Sequence, residues 1–200
     1  FSGPVRSING FEQISKNATT GAITVISGNK MATEASSGAG IEGTAEVYVT
    51  QVERFKSDTD TNVNLVKTTI LLDLTGLASS GANDIIGKAG TGVAYIGRVT
   101  AVNQGTVFGV TMECLETPAG GDPDIDLYSA TEATGVEDSA IGDLTETQII
   151  NSGDLAAGTR VAGGTIVADQ YLYLVAGSAT NADYTAGRII ITITGYDVAS

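Results

Sequence analysis

QYLYLVAGSATNADYTAGRIIITITGYDV, residues 170–198, is the stretch on which the fold depends. In its second half Ile189, Ile191 and Ile193 point one way, and Ile190, Thr192, Thr194 and Tyr196 the other. In its first half Leu172, Leu174 and Ala176 alternate with Tyr171, Tyr173 and Val175. A period of two, carried by β-branched and aromatic residues and bounded by glycine, is the signature of strands. Gln170–Ala176 and Arg188–Val198 therefore read as an antiparallel hairpin with a long loop, Gly177–Gly187, buried enough to form part of the core.

The same alternation recurs upstream. Ala45, Val47 and Val49 alternate with Glu46, Tyr48 and Thr50, and Val66, Thr68, Ile70, Leu72 and Leu74 share one face. The polar connection between these runs, Glu53–Thr61, reads as an exposed hairpin tip. Val93–Thr100 and Val107–Glu116 read as a second hairpin around Asn103-Gln104-Gly105, with Gly105 supplying a positive φ. Ile85 and Ile86 interrupt a long turn region as an apolar plug. Asp126–Ala130 is a short strand, Leu144–Ile150 a helical turn or a short strand, and Val161–Ala168 leads into the C-terminal pair. Eight to ten strands without a long helix predict an all-β fold, an antiparallel sandwich or barrel of jelly-roll-like character. The expected core includes Val66, Ile70, Leu72, Val110, Met112, Leu172, Leu174, Ile189, Ile191 and Ile193.

Residues 1–43 differ in texture. They are rich in glycine and serine, with one convincing strand at Ala22–Ile26, and read as an extended N-terminal arm ahead of a single domain over 44–200. The arm has few residues of its own to bury, so it is expected either to pack on its own domain or a neighbour or to be a loosely attached terminus.

Composition narrows function by exclusion. Net charge is −13, and residues 101–200 hold fourteen acids against two bases, Arg160 and Arg188. Such a chain repels phosphate backbones and anionic lipid, so neither direct nucleic-acid binding nor membrane-surface binding is expected. The acidic segment Glu113–Asp154, which has no base, is expected to face solvent. No run approaches the roughly 20 apolar residues of a membrane-spanning helix, and Phe1–Gly10 lacks the apolar centre of a signal peptide. There is no histidine, which removes the commonest general base and metal ligand. Cys114 is the one cysteine. It lies in register with Phe108, Val110 and Met112, as a small packing residue would. The glycine-rich pieces fit neither a phosphate-binding loop nor a dinucleotide fingerprint.

One stretch invites a ligand. Asp122, Asp124 and Asp126 alternate in Asp-Pro-Asp-Ile-Asp, and carboxylates so spaced can converge on a hard cation such as Ca²⁺. The stretch lacks the central glycine and closing glutamate of an EF-hand loop. The competing reading is a solvated turn whose acids simply face water. No catalytic residue and no cofactor is indicated.

Several phrases carry a resemblance. TTILLDLTGLASSGANDIIGKAGTGVAYIGRV (68–99), VFGVTMECLETPAGGDPDIDLYSA (107–130), QYLYLVAGSATNADYTAGRIIITITGYD (170–197) and the opening GPVRSINGFE (3–12) are similar to small virion proteins of tailed bacteriophages, especially marine ones. The resemblance implies a non-catalytic capsid decoration or cement protein on the virion surface, often a homotrimer and assembled in the host cytoplasm. The implied partners are further copies of itself and the major capsid protein or other virion proteins. Pro4, Val5, Arg6, Ile8 and Phe11 in the arm are the residues expected to touch the shell or an adjoining subunit. The same texture suits a tail or fibre component. A third reading, from the residues themselves, is a secreted or surface β-sandwich that binds a glycan through Tyr171, Tyr173, Tyr184 and Tyr196.

Overall fold

The structure is a computed structural model, and it describes residues 13–16, 23–27, 37–41, 45–56 and 62–199. Two antiparallel sheets face each other as a sandwich that does not close into a barrel. The strands are, in chain order, β1 (Gln13–Lys16), β2 (Ile23–Ser27), β3 (Ala45–Lys56), β4 (Asn62–Asp73), β5 (Ala78–Ser79), β6 (Gly97–Val99), β7 (Thr106–Ala119), β8 (Ile125–Ala130), β9 (Glu146–Ile150), β10 (Arg160–Gly163), β11 (Gln170–Ala176), β12 (Ala182–Asp183) and β13 (Ala186–Ala199). Helix among the described residues is confined to α1 (Ala101–Gln104) and a 3-10 turn at Ile141–Asp143.

The first sheet runs β10-β7-β13-β4-β3 and the second β6-β11-β8-β9, while β1 pairs with β2 and β12 with β5 in two small ribbons. The long central pairings are β13 with β4, from Arg188↔Asp73 to Ala199↔Asn62, and β13 with β7. They set Ile189, Ile191 and Ile193 against Ile70, Leu72, Val110, Met112 and Cys114 on the inner face, and all eight are buried. Leu127, Leu172 and Leu174 come from the second sheet to complete the core. The ten core residues expected from alternation are all buried.

The two expected hairpins are corrected. Gln170–Ala176 lies in the second sheet and Ala186–Ala199 in the first, so the C-terminal runs face each other across the core instead of pairing. Their connection is long enough to cross between layers, and it pauses midway to pair β12 with β5. Likewise Gly97–Val99 and Thr106–Ala119 belong to different sheets. The link between them is α1, where the Thr100 hydroxyl caps the Asn103 N–H at 3.2 Å and Gly105 closes the turn at φ 64°. Gly105 thus has its positive φ, but as a helix cap. The β3–β4 hairpin forms as read, with a shorter connection than Glu53–Thr61.

A third layer explains why β11 is apolar on both faces. Its outer face, Tyr173 and Val175, is roofed by residues 131–144. Tyr173 donates to the Glu132 carbonyl at 2.7 Å and accepts from the Gly135 N–H at 3.4 Å. Ile85 pairs beside Val175, and the Ile86 N–H reaches the Leu174 carbonyl at 2.9 Å, so both isoleucines are buried as the expected plug. The four-stranded sheet is therefore covered on both sides by its own chain.

One core expectation fails. Phe108 does not share the inner face with Val110, Met112 and Cys114; it is 51% exposed. Thr194 pairs with Gly109 and Gly195 with Val107, which leaves Phe108 as the extra residue of a β-bulge. A bulge adds one residue to one strand and re-aims its side chain. Here it turns Phe108 outward.

Candidate functional site

The densest polar cluster among the described residues surrounds Asp122, at the end of the sandwich where the 119–124 turn meets the 177–185 connection. Asp122 is completely buried. Its Oδ1 accepts from the Asp124 N–H at 3.0 Å and the Ser178 hydroxyl at 2.7 Å, and its Oδ2 accepts from the Ser178 N–H at 2.8 Å. Its own N–H donates to Ser79 Oγ at 2.9 Å, and its carbonyl accepts from the Tyr184 hydroxyl at 2.7 Å. Ser79 in turn donates to the Thr180 carbonyl at 2.6 Å. Every polar atom of Asp122 is thereby matched, as a buried carboxylate requires. Gly121 lies against the Tyr184 ring, and a Cβ there would overlap it.

Asp126 follows the same logic and is buried. It accepts from the Ser152 N–H at 2.9 Å and from Gln148 Nε2 at 2.8 Å. Asp124 differs. It is partly buried over Gly177, where any Cβ would collide with its carboxylate, and its Oδ1 is buried without a hydrogen-bond partner. Burial first, and then the neighbouring Asp126, Asp122 and Asp154, push the Asp124 carboxyl above its ordinary value.

The Asp-Pro-Asp-Ile-Asp stretch is thus neither of the two things read from sequence. Asp122 and Asp126 are not solvated, because they bind N–H and O–H donors brought from residues 148–178. Nor do the three acids converge: among the described residues no group of three or more His, Cys, Asp or Glu could hold a metal ion. The wider expectation for Glu113–Asp154 is corrected at the same two positions, while Asp138, Asp143, Glu146 and Asp154 do face solvent.

The four tyrosines do not form a glycan platform. Tyr173 and Tyr184 are buried, their hydroxyls are spent on backbone carbonyls, and burial pushes the Tyr173 phenol up to about 12. Tyr171 lies on the second sheet, edge-on to Tyr95 with ring centroids 5.0 Å apart and Arg98 5.3 Å above its ring. Tyr196 lies on the first sheet, 38% exposed. A crevice near α1, between the sheets, is lined by Thr68, Arg98, Gln104 and Leu172 among others. Its volume of about 10 Å³ is about that of a single water site and far below the roughly 300–1,000 Å³ of ordinary ligand pockets. Gln104 partly fills it, donating to Thr68 at 3.4 Å and accepting from the Thr100 N–H at 2.8 Å.

Cys114 is buried as expected, and its thiol donates to the Glu116 carbonyl at 3.3 Å. Burial raises its pKa, the opposite of what a nucleophilic thiol needs. Pro4, Val5, Arg6, Ile8 and Phe11 lie outside the described residues.

What sequence reasoning missed is the outer face of the five-stranded sheet. Phe108 and Leu115 stand out from it at 51% and 50% exposure, and Phe108 lies 6.3 Å from Tyr196 between ring centroids. Leu115 is also a bulge residue, since Arg188 pairs with Glu116 and Ile189 with Cys114. The signal available beforehand was apolar residues at both parities of β7, which alternation alone assigns to one face or the other. Comparison with protein-family models, with curated proteins and with solved structures returns no match to this chain.

Proposed function

We propose that this chain is a non-catalytic structural component of a tailed-phage virion, an outer-capsid decoration or cement protein that acts as a homotrimer. The observation that carries the reading is the likeness of residues 3–12, 68–99, 107–130 and 170–197 to such proteins. The chemistry of the described residues is compatible with it. The carboxylates of Asp122 and Asp126 and the phenols of Tyr173 and Tyr184 are consumed in tying loops together, and the acidic chain is not suited to bind nucleic acid. A shell-binding protein gains strength from many repeated copies rather than from one deep pocket.

Co-sedimentation with phage heads stripped of their surface proteins tests the reading. The full chain is expected to pellet with the heads. A truncation lacking residues 1–13 is expected to stay folded and oligomeric in the supernatant. Full-strength binding by the truncation refutes the role of the arm. Failure of the full chain to bind heads, with binding to tails or to neither, refutes the decoration role.

A further inference from the structure

The geometry points to residues 87–95 as a peptide clasp, filled in this chain by its own residues 37–41, which it holds as an exchangeable strap. The inference is independent of the virion reading. It gives a role to two glycine-rich pieces that match no nucleotide-binding pattern: Gly38 and Gly40 lie in the strap, and Gly87–Gly92 forms one limb of the clasp.

The clasp grips Gly40 from both sides. The Gly40 N–H donates to the Val93 carbonyl at 2.8 Å, and the Gly40 carbonyl accepts from the Lys88 N–H at 2.8 Å. The Gly38 N–H donates to the Tyr95 carbonyl at 2.9 Å. Donors at 38 and 40 meeting acceptors at 95 and 93 follow the antiparallel pattern of a segment added to a sheet edge. The strap then turns, with the Ile41 N–H on the Gly38 carbonyl at 2.9 Å, and Ile41 is fully buried in the core.

Shape selects the ligand. A Cβ at Gly38 would overlap the Val93 carbonyl, and one at Gly40 would come within 3.0 Å of the Gly92 and Val93 carbonyl oxygens. Both obstacles are backbone, which cannot swing aside as a side chain can. Ala39, between the two glycines, is exposed. The clasp therefore takes a segment with glycine at two alternate positions, a free choice between them, and an aliphatic anchor next.

The clasp is built without the strap. Gly87 exchanges both backbone bonds with Ala78, at 2.7 and 3.2 Å, and the Thr91 hydroxyl closes the loop onto the Lys88 carbonyl at 2.6 Å. On the other limb the Ala94 N–H donates to the Gly135 carbonyl and the Ile96 N–H to the Leu172 carbonyl, both at 2.8 Å. The strap, by contrast, gains a few backbone bonds and one buried side chain. Against these stands the freedom lost by residues 37–41, and glycine loses more of it on ordering than any other residue. Opposing terms of similar size let the strap open locally while the clasp stays formed.

Native-state hydrogen exchange of the full chain at low urea, read by nuclear magnetic resonance, tests the exchange. The Gly38, Gly40 and Lys88 amides report the strap, and the Ala94 and Ile96 amides report the clasp wall. The strap amides are expected to be at least about 10-fold less protected, through an opening that urea does not accelerate. Equal protection of strap and wall, falling together as urea rises, overturns the exchangeable strap. Recognition is tested in the full chain carrying Gly40→Val, which disables the strap and leaves the clasp. Its Lys88 amide is expected to lose protection, and a synthetic peptide of residues 36–42 at millimolar concentration is expected to restore it. The same peptide carrying Gly40→Val is expected to have no effect. Failure of the unmodified peptide, or an equal effect from both peptides, overturns the clasp as a binding site. If Gly40→Val does not fold, Ile41→Ala, which removes only the anchor, takes its place with the same outcomes.

Discussion

Replacing Asp122 by alanine strips one acceptor group from three donors at once: the Asp124 N–H, the Ser178 N–H and the Ser178 hydroxyl. A hydrogen bond to a charged acceptor is worth about 1.5–3 kcal/mol net, and a buried orphan donor costs about as much again. Two terms reduce that sum. Ser178 is exposed, so its freed groups recover water, and removing a fully buried carboxylate relieves its desolvation. About 1 kcal/mol for each lost bond is then the fair figure, or about 3 kcal/mol in all. For a chain of 200 residues that corresponds to a fall in Tm of about 6–12 °C. Asp122→Asn keeps Oδ1 for two donors but turns an amide N–H₂ toward the Ser178 N–H, so it should lose about half as much. Urea denaturation followed by tyrosine fluorescence and far-ultraviolet circular dichroism measures both, since the chain has seven Tyr and no Trp. A double-mutant cycle with Ser178→Ala isolates the hydroxyl bond, with a coupling of about 1 kcal/mol expected. A loss below about 1 kcal/mol for Asp122→Ala would show that the buried carboxylate is not what ties the 177–185 connection to the 119–124 turn.

Two further outcomes follow from the same region and from the core. Asp124 is held above the ordinary 3.8 by burial and by Asp126, Asp122 and Asp154. Native protein thus binds more protons than unfolded chain just above pH 3.8, and this group's contribution falls as pH rises through its raised native value. Asp124→Asn should therefore raise the urea midpoint at pH 7 and leave it unchanged near pH 3; equal midpoints at both pH values would refute the assignment. Cys114→Ala should cost about 1–2 kcal/mol by leaving a small cavity, and the native thiol should react with a thiol reagent only as the protein unfolds. Rapid labelling of the folded protein would contradict its burial.

Local rules made the inner faces legible. Ile189, Ile191 and Ile193, like Val66, Ile70 and Leu72, are buried because alternation fixes which side chains share a face once the run is a strand. The all-β class and the packing role of Cys114 were readable for the same reason: they depend on a residue and its near neighbours in the chain. Alternation says nothing about which strand lies alongside. Gln170–Ala176 and Ala186–Ala199 look like a hairpin in sequence and lie in opposite sheets in space. That choice was made by pairing with β8 and β4, strands far away in the chain. Phe108 followed the apolar pattern until a register shift against Thr194 and Gly195 turned it outward, and a bulge exists only relative to its partner strand. Asp122 looked solvated because acids in turns usually are. Its donors come from Ser178, 56 residues on, and only the folded chain brings them close enough to replace water.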